Sequence, residues 1–149
     1  MPVSSAVVID ASTGIFEVID NPLNKQVDLL WKEWAQQGFQ VYVPQLWLNE
    51  VTSVLHKVLM QKLISEEKAL LALDAVLALG VTVKPESSQD CRRAFNWATR
   101  LGQFAAYDCF YLALAEEMGI EFWTADERLA NRAKQLGVNW VRWIGEGKS

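Results

Sequence analysis

The strongest constraint on the fold is an alternation of short, unbroken apolar runs with stretches of helical periodicity. Ala6-Val7-Val8-Ile9 is the first run, apolar at every position, as a strand covered on both faces requires. It stops at Asp10. Ser12 and Thr13 offer caps for a short helix reaching Ile19, and Asp20-Asn21-Pro22 interrupts it. From Asn24 a helical pattern places Val27, Leu30, Trp31 and Trp34 on one face, with Gly38 as its stop. Residues 39–43 read as a second strand. Pro44 suits the first turn of the next helix, which is expected to bury Leu48, Val51, Leu55, Val58 and Leu59. Ser65-Glu66-Glu67 opens another helix, closed by Gly80. A third strand at 81–83, helices at 88–101 and 104–118, a fourth strand at 121–124, a helix at 126–136 and a fifth strand at 140–143 complete the order. Strands alternating with helices predict an α/β fold: a central, mostly parallel sheet of about five strands with helices on both faces.

The 149 residues suffice for a single domain of this kind, taken as residues 1–149. Lys plus Arg number 14 and Asp plus Glu 18, a net charge of −4, which tells against a protein that holds nucleic acid by bulk charge. Cys91 and Cys109 form no CxxC pair, and there is one histidine, so neither a zinc cluster nor a disulfide scaffold is expected. A reduced, cytoplasmic setting follows. The apolar stretch 69–83 is interrupted by Asp74 and is too short for a bilayer, which takes about 20 residues. Met-Pro-Val-Ser-Ser-Ala lacks the basic region of a leader, so no targeting segment and no membrane partner are expected. Neither GxGxxG nor GxxxxGKS/T is present, which disfavours a nucleotide-binding enzyme.

Four acids carry the chemical signal. Asp10 ends the first strand and Asp126 follows the fourth, and ligands of open α/β sheets gather at the carboxyl ends of strands. Glu50 lies beside the core residue Val51. At helical spacing Asp108 has Phe104, Ala105, Tyr111, Leu112 and Ala115 for neighbours, an apolar face on which an unpaired carboxylate costs several kcal/mol. Each acid also has a plainer reading: Asp10 and Asp126 as helix caps, Glu50 as a solvated flank, Asp108 as a first-turn acid favoured by the helix dipole. Converging carboxylates repel unless divalent cations sit among them, and a hard oxygen set suits Mg²⁺ or Mn²⁺.

These residues resemble the PIN domain, and within it the ribonuclease toxins of VapBC-type toxin–antitoxin modules. The resemblance rests on Val8-Ile9-Asp10-Ala11-Ser12, on residues 44–55 with Glu50, Ser53 and Leu55, on Ala106-Tyr107-Asp108-Cys109-Phe110-Tyr111-Leu112, and on Phe122-Trp123-Thr124-Ala125-Asp126. It implies a metal-dependent endoribonuclease that hydrolyses RNA phosphodiester bonds with one or two Mg²⁺ or Mn²⁺ ions. Asp10, Glu50, Asp108 and Asp126 then match the acidic, metal-binding positions. Ser12 and Thr124 match supporting hydroxyls, and Ser53 stands where many relatives have Asn. The resemblance also implies a cognate antitoxin and a homodimer. The alternative is a non-catalytic PIN fold that binds RNA or protein.

Further candidates are weaker. Arg93, Trp97 and Arg100 form a helical stripe suited to gripping phosphate and stacking a base, or a core tryptophan between solvated arginines. Lys57 lies two turns beyond Glu50 and could approach RNA; the plainer reading is a surface lysine. Seven tryptophans exceed what a small domain easily buries, so some are expected to face a partner. The segment 69–79, apolar almost all round, points to either a central helix or one covered by another chain.

Overall fold

In the computed structural model, which describes residues 5–103 and 106–146, five strands lie parallel in one sheet. They are β1 (Ala6–Ile9), β2 (Gln40–Pro44), β3 (Thr82–Lys84), β4 (Glu121–Thr124) and β5 (Val141–Trp143), in the order β3-β2-β1-β4-β5. Val8 of the central strand pairs with Tyr42 on one side and Phe122 on the other. Val7, Val8 and Ile9 are all closed to solvent, although successive strand residues point to opposite faces. Both faces are therefore covered, which is why this run shows no alternation.

Among the described residues seven helices supply the cover: α1 (Ala11–Val18), α2 (Asn24–Gln36), α3 (Leu46–Met60), α4 (Glu66–Leu77), α5 (Ser88–Leu101), α6 (Cys109–Met118) and α7 (Glu127–Gln135). The main helix–helix contacts fall into two groups, α1 with α2, α3 and α4 (and α3 with α4), and α5 with α6. Right-handed crossovers put connections that run in opposite directions along a sheet on opposite faces. Here the chain steps from β1 to β2 to β3, then returns past β1 to β4 and β5. The direction of travel reverses between β1 and β4, and the carboxyl ends of these two strands flank the crevice where such folds bind ligands.

Packing fixes the helices around that crevice. Tyr111 of α6 stacks on Phe122 of β4 with ring centroids 5.6 Å apart. Trp47 of α3 is fully buried, and its Nε1 donates to the Asp10 carbonyl at 3.1 Å, tying α3 to the end of β1. Asn21 ends α1: its amide donates to the Phe16 and Ile19 carbonyls, and its Oδ1 accepts from Leu23 N.

Several local expectations are corrected. Pro44 ends β2 rather than opening α3; at the end of a strand its missing N–H costs little. Asp10, rather than Ser12 or Thr13, caps α1. Leu48 lies on the open side of α3, 36% exposed, while Val51 and Leu55 are buried and Val58 and Leu59 half-buried. The expected helix start at Phe104 lies outside the described residues, and α6 begins at Cys109. None of the seven tryptophans is exposed: Trp34, Trp47, Trp97 and Trp123 are buried, and Trp31, Trp140 and Trp143 are half-buried against the core. Leucines make up most of the open apolar surface, with Phe95, Tyr107, Met60 and Val83. Leu70, Leu71 and Leu77 of α4 stand in solvent while Ala69, Ala72 and Val76 face inward, so this helix is peripheral. Among the described residues no helix is long and apolar enough to cross a membrane.

Candidate active site

Asp10 is held by both of its roles at once. Its backbone is extended at the end of β1, and its side chain caps α1, a contribution of about 1 kcal/mol. Oδ1 accepts from Thr13 N at 3.0 Å and Thr13 Oγ1 at 2.7 Å. Oδ2 accepts from Thr124 Oγ1 at 2.6 Å and from Ala125 N at 3.0 Å, across the β1–β4 reversal. Burial pushes this carboxyl above its usual range, and the four donors oppose that push. Thr124 is fully buried, and its Oγ1 accepts from Asp126 N at 2.9 Å, linking the second strand-end acid to the first. Asp126 in turn caps α7 through Leu129 N at 3.1 Å.

The other two acids arrive from opposite helix layers. Glu50 of α3 accepts a short hydrogen bond at Oε1 from the Tyr111 hydroxyl of α6. Burial raises the Glu50 carboxyl, the Tyr111 bond opposes this, and the charges of Asp108 and Asp10 add to the rise. Burial and the negative charge of Glu50 drive Tyr111 strongly upward, so it remains a protonated donor. Asp108 occupies the N-cap of α6 without making a cap hydrogen bond. It is open to solvent as a residue yet lines the same cleft, where desolvation and the charges of Asp10 and Asp126 raise it. Asp108 therefore does not lie within an apolar helix face as expected: α6 starts one residue later, and Asp108 stands at its mouth.

Asp10, Glu50, Asp108 and Asp126 line one cleft of about 290 Å³, with Ser12 and Thr124 between them. Among the described residues every polar side chain on its walls is an oxygen donor or acceptor, and none is a lysine, arginine or histidine. Among the described residues no three His, Cys, Asp or Glu side chains stand close enough together to hold a metal ion as they are placed.

The family model for the PIN domain matches residues 7–135, spanning all four acids. The chain belongs to the PIN domain family. Its fold is similar to PAE2754 from Pyrobaculum aerophilum, at 18% identity and a TM-score of 0.68, over 93% of this chain and 83% of that one. It is also similar to VapC20 of Mycobacterium tuberculosis, a Sarcin-Ricin loop cleaving toxin, at 18% identity and a TM-score of 0.63, over 91% and 98%. A third similar structure is VapBC2 of Rickettsia felis bound to a DNA fragment from their promoter, at 13% identity and a TM-score of 0.58, over 93% and 96%. No curated protein sequence matches the chain significantly.

The remaining candidates lie outside the cleft of this PIN domain. Ser53 is exposed on α3, in a shallow depression beside His56, and Lys57 is a surface residue. Trp97 is 2% exposed, its Nε1 donates to Glu116, and Trp140 and Arg100 cover its ring, so no base can stack on it. Arg100 lies on that ring at 4.2 Å, and Arg93 is paired with Asp90 and Glu117. Cys109 is buried and pushed up to about 11 by burial and by Asp108, too high for a thiolate nucleophile. Two supporting residues escaped the sequence reading, Thr13 and Tyr111. Thr13 lies three residues after Asp10, the spacing at which a capped turn brings a side chain back toward its first residue, whereas Tyr111 meets Glu50 across 61 positions and left no local mark.

Proposed function

We propose that this PIN domain is a metal-dependent endoribonuclease, the toxin of a type II toxin–antitoxin pair, acting in the cytoplasm. The observation that carries the reading is the cleft itself: four carboxylates on its walls and, among the described residues, no cationic side chain. Burial pushes Asp10, Glu50 and Asp108 upward, and neighbouring carboxylates add to the rise at Glu50 and Asp108, a strain that a divalent cation would relieve. The all-oxygen donor set suits Mg²⁺ or Mn²⁺. Asp10 and Asp108 are the proposed primary ligands, with Glu50 and Asp126 binding directly or through water. Bound there, the ion would acidify a water and offset charge on the phosphate.

The chain's own groups do the rest. Four donors hold Asp10 in one rotamer, so its charge does not swing away as the phosphate enters. Tyr111 orients Glu50, whose carboxylate would accept a proton from the attacking water. Thr124 couples Asp126 to Asp10. Exposed Leu70, Leu71 and Leu77, with Met60 and Leu63 at the end of α3, supply apolar surface for an antitoxin and a second toxin copy. Likeness in fold to VapC20 and VapBC2 supports the same reading.

The test is incubation of the purified protein with total RNA, in Mg²⁺, in Mn²⁺ and in chelator, beside Asp108→Asn. Discrete fragments that need both the metal and Asp108 are expected. Equal cleavage by wild type and variant overturns the assignment. No cleavage by antitoxin-free protein with either metal would favour the binding-module reading.

A further inference from the structure

The carboxylates account for only part of the cleft's lining. Apolar side chains make up much of the rest, and several of them, Phe122, Leu129 and Ala11, are closed to solvent and serve the core. Phe16 and Val54 are different: both line the cleft and both keep part of their surface open. Phe16 stands four residues after Ser12 on α1, and Val54 four residues after Glu50 on α3. Residues four apart share a helix face, about 6 Å along the axis. Because α1 packs on α3, the two form an apolar wall one helical turn from the polar site.

We infer that this wall receives a nucleobase, with the Phe16 ring stacking on the base next to the phosphate held at the carboxylates and Val54 closing its edge. The inference rests on the nuclease reading above and adds what that reading lacks, a group that recognises the nucleotide. A phosphodiester at Asp10 and Asp108 leaves its attached base to extend across the ribose, a reach comparable with the one-turn offset of the wall. Every base has an apolar π-face, whereas only a minority of the chain's charges are positive, so stacking supplies affinity that bulk charge does not. Trp97, the aromatic that the sequence offered for this task, is sealed in the core.

The experiment measures kcat and KM on a short single-stranded RNA spanning the cleavage site mapped in total RNA, and on the same RNA with an abasic ribose beside the scissile phosphate. Phe16→Ala is expected to raise KM by roughly 10-fold with kcat nearly unchanged, the scale of one lost stacked base. Phe16→Tyr should retain the wild-type KM and Phe16→Leu should not, although leucine preserves apolar packing and guards against a folding defect. The abasic substrate should cost wild type a similar factor and cost Phe16→Ala little more, because the two changes remove one contact. An unchanged KM in Phe16→Ala, a Leu variant equal to the Tyr variant, or fully additive losses would each overturn the inference; a protein side chain seated on the wall gives the first result. Binding of labelled oligo(rA) and its abasic form, followed by fluorescence anisotropy, repeats the comparison without cleavage. Failure of the nuclease reading shows as wild type that does not cut; failure of the wall shows as wild type that cuts or binds indifferently to Phe16.

Discussion

Replacing Gly14 by alanine tests the contact that brings α1 and α3 together beside Asp10 and Glu50. In an open helix the change would stabilise by about 1 kcal/mol, since glycine loses the most backbone freedom on folding. Here the new Cβ would stand 2.8 Å from Trp47 Cζ2 and 3.6 Å from Cε2. An ordinary carbon contact is about 3.5 Å, so ring or helix must retreat by roughly 0.7 Å. Trp47 has no room to yield: it is fully buried and its Nε1 is bonded to the Asp10 carbonyl. Overpacking costs about 1–3 kcal/mol and loss of that hydrogen bond about 1 kcal/mol, leaving a net destabilisation of about 1–3 kcal/mol after the helix gain. For a chain of this length, each kcal/mol lowers the melting temperature by roughly 2–4 °C. Urea denaturation should show a lower midpoint with an unchanged slope. In a Trp47→Phe background the clashing ring atom is gone, and Gly14→Ala should become neutral or stabilising. A midpoint equal to or above wild type in the native background would refute the close-contact argument.

Three further outcomes follow from the same geometry. Tyr111→Phe removes the donor to Glu50 and should destabilise the fold by about 1.5–3 kcal/mol at neutral pH, read from the urea midpoint; an unaltered midpoint would show that the bond carries no net weight. Glu17, beside Asp28 with a buried oxygen lacking a donor, is pushed up to about 7, mainly by burial and then by the Asp28 charge. A carboxyl raised in the folded state stabilises below its unfolded value near 4.5 and loses that stability as pH climbs through 7. Because this carboxyl stands partly in water the effect is discounted to about 1 kcal/mol. Glu17→Gln should therefore gain on wild type from pH 5 to pH 8, and a gap constant across that range counts against it. Mg²⁺ or Mn²⁺ at about 100 times its dissociation constant should stabilise by about 2.7 kcal/mol, a rise of roughly 5–10 °C that Asp108→Asn diminishes; identical melting curves with and without metal would speak against a shared site.

The strands were readable because a strand buried on both faces must be apolar where it is covered, as Ala6–Ile9 is at every position and Glu121–Thr124 is at Phe122 and Trp123. Their polar endings, Asp10 and Thr124, were readable for the same reason, since an abrupt switch from apolar to polar marks where a buried strand surfaces. Asp108 shows the limit of that method. Helical periodicity placed it on a buried face, whereas α6 begins at Cys109 and leaves it at an open cap. The stripe of Arg93, Trp97 and Arg100 failed differently. Its spacing was correct, but ion pairs with Asp90 and Glu117 and the covering Trp140 ring consume the groups that were to meet RNA.

Local pattern thus carried the α/β architecture, the element order and the strand ends at which Asp10 and Asp126 stand, because burial and capping act over a few residues and leave a periodic mark. The assembly of the four acids depends on contacts that no local pattern records. Asp10 meets Thr124 across 114 positions and Glu50 meets Tyr111 across 61. Both contacts arise because the chain reverses its direction along the sheet between β1 and β4, bringing two strand ends and two helix layers to one crevice. The closeness of that crevice rests on Gly14 against Trp47, a steric fit between two helices that only their packing creates.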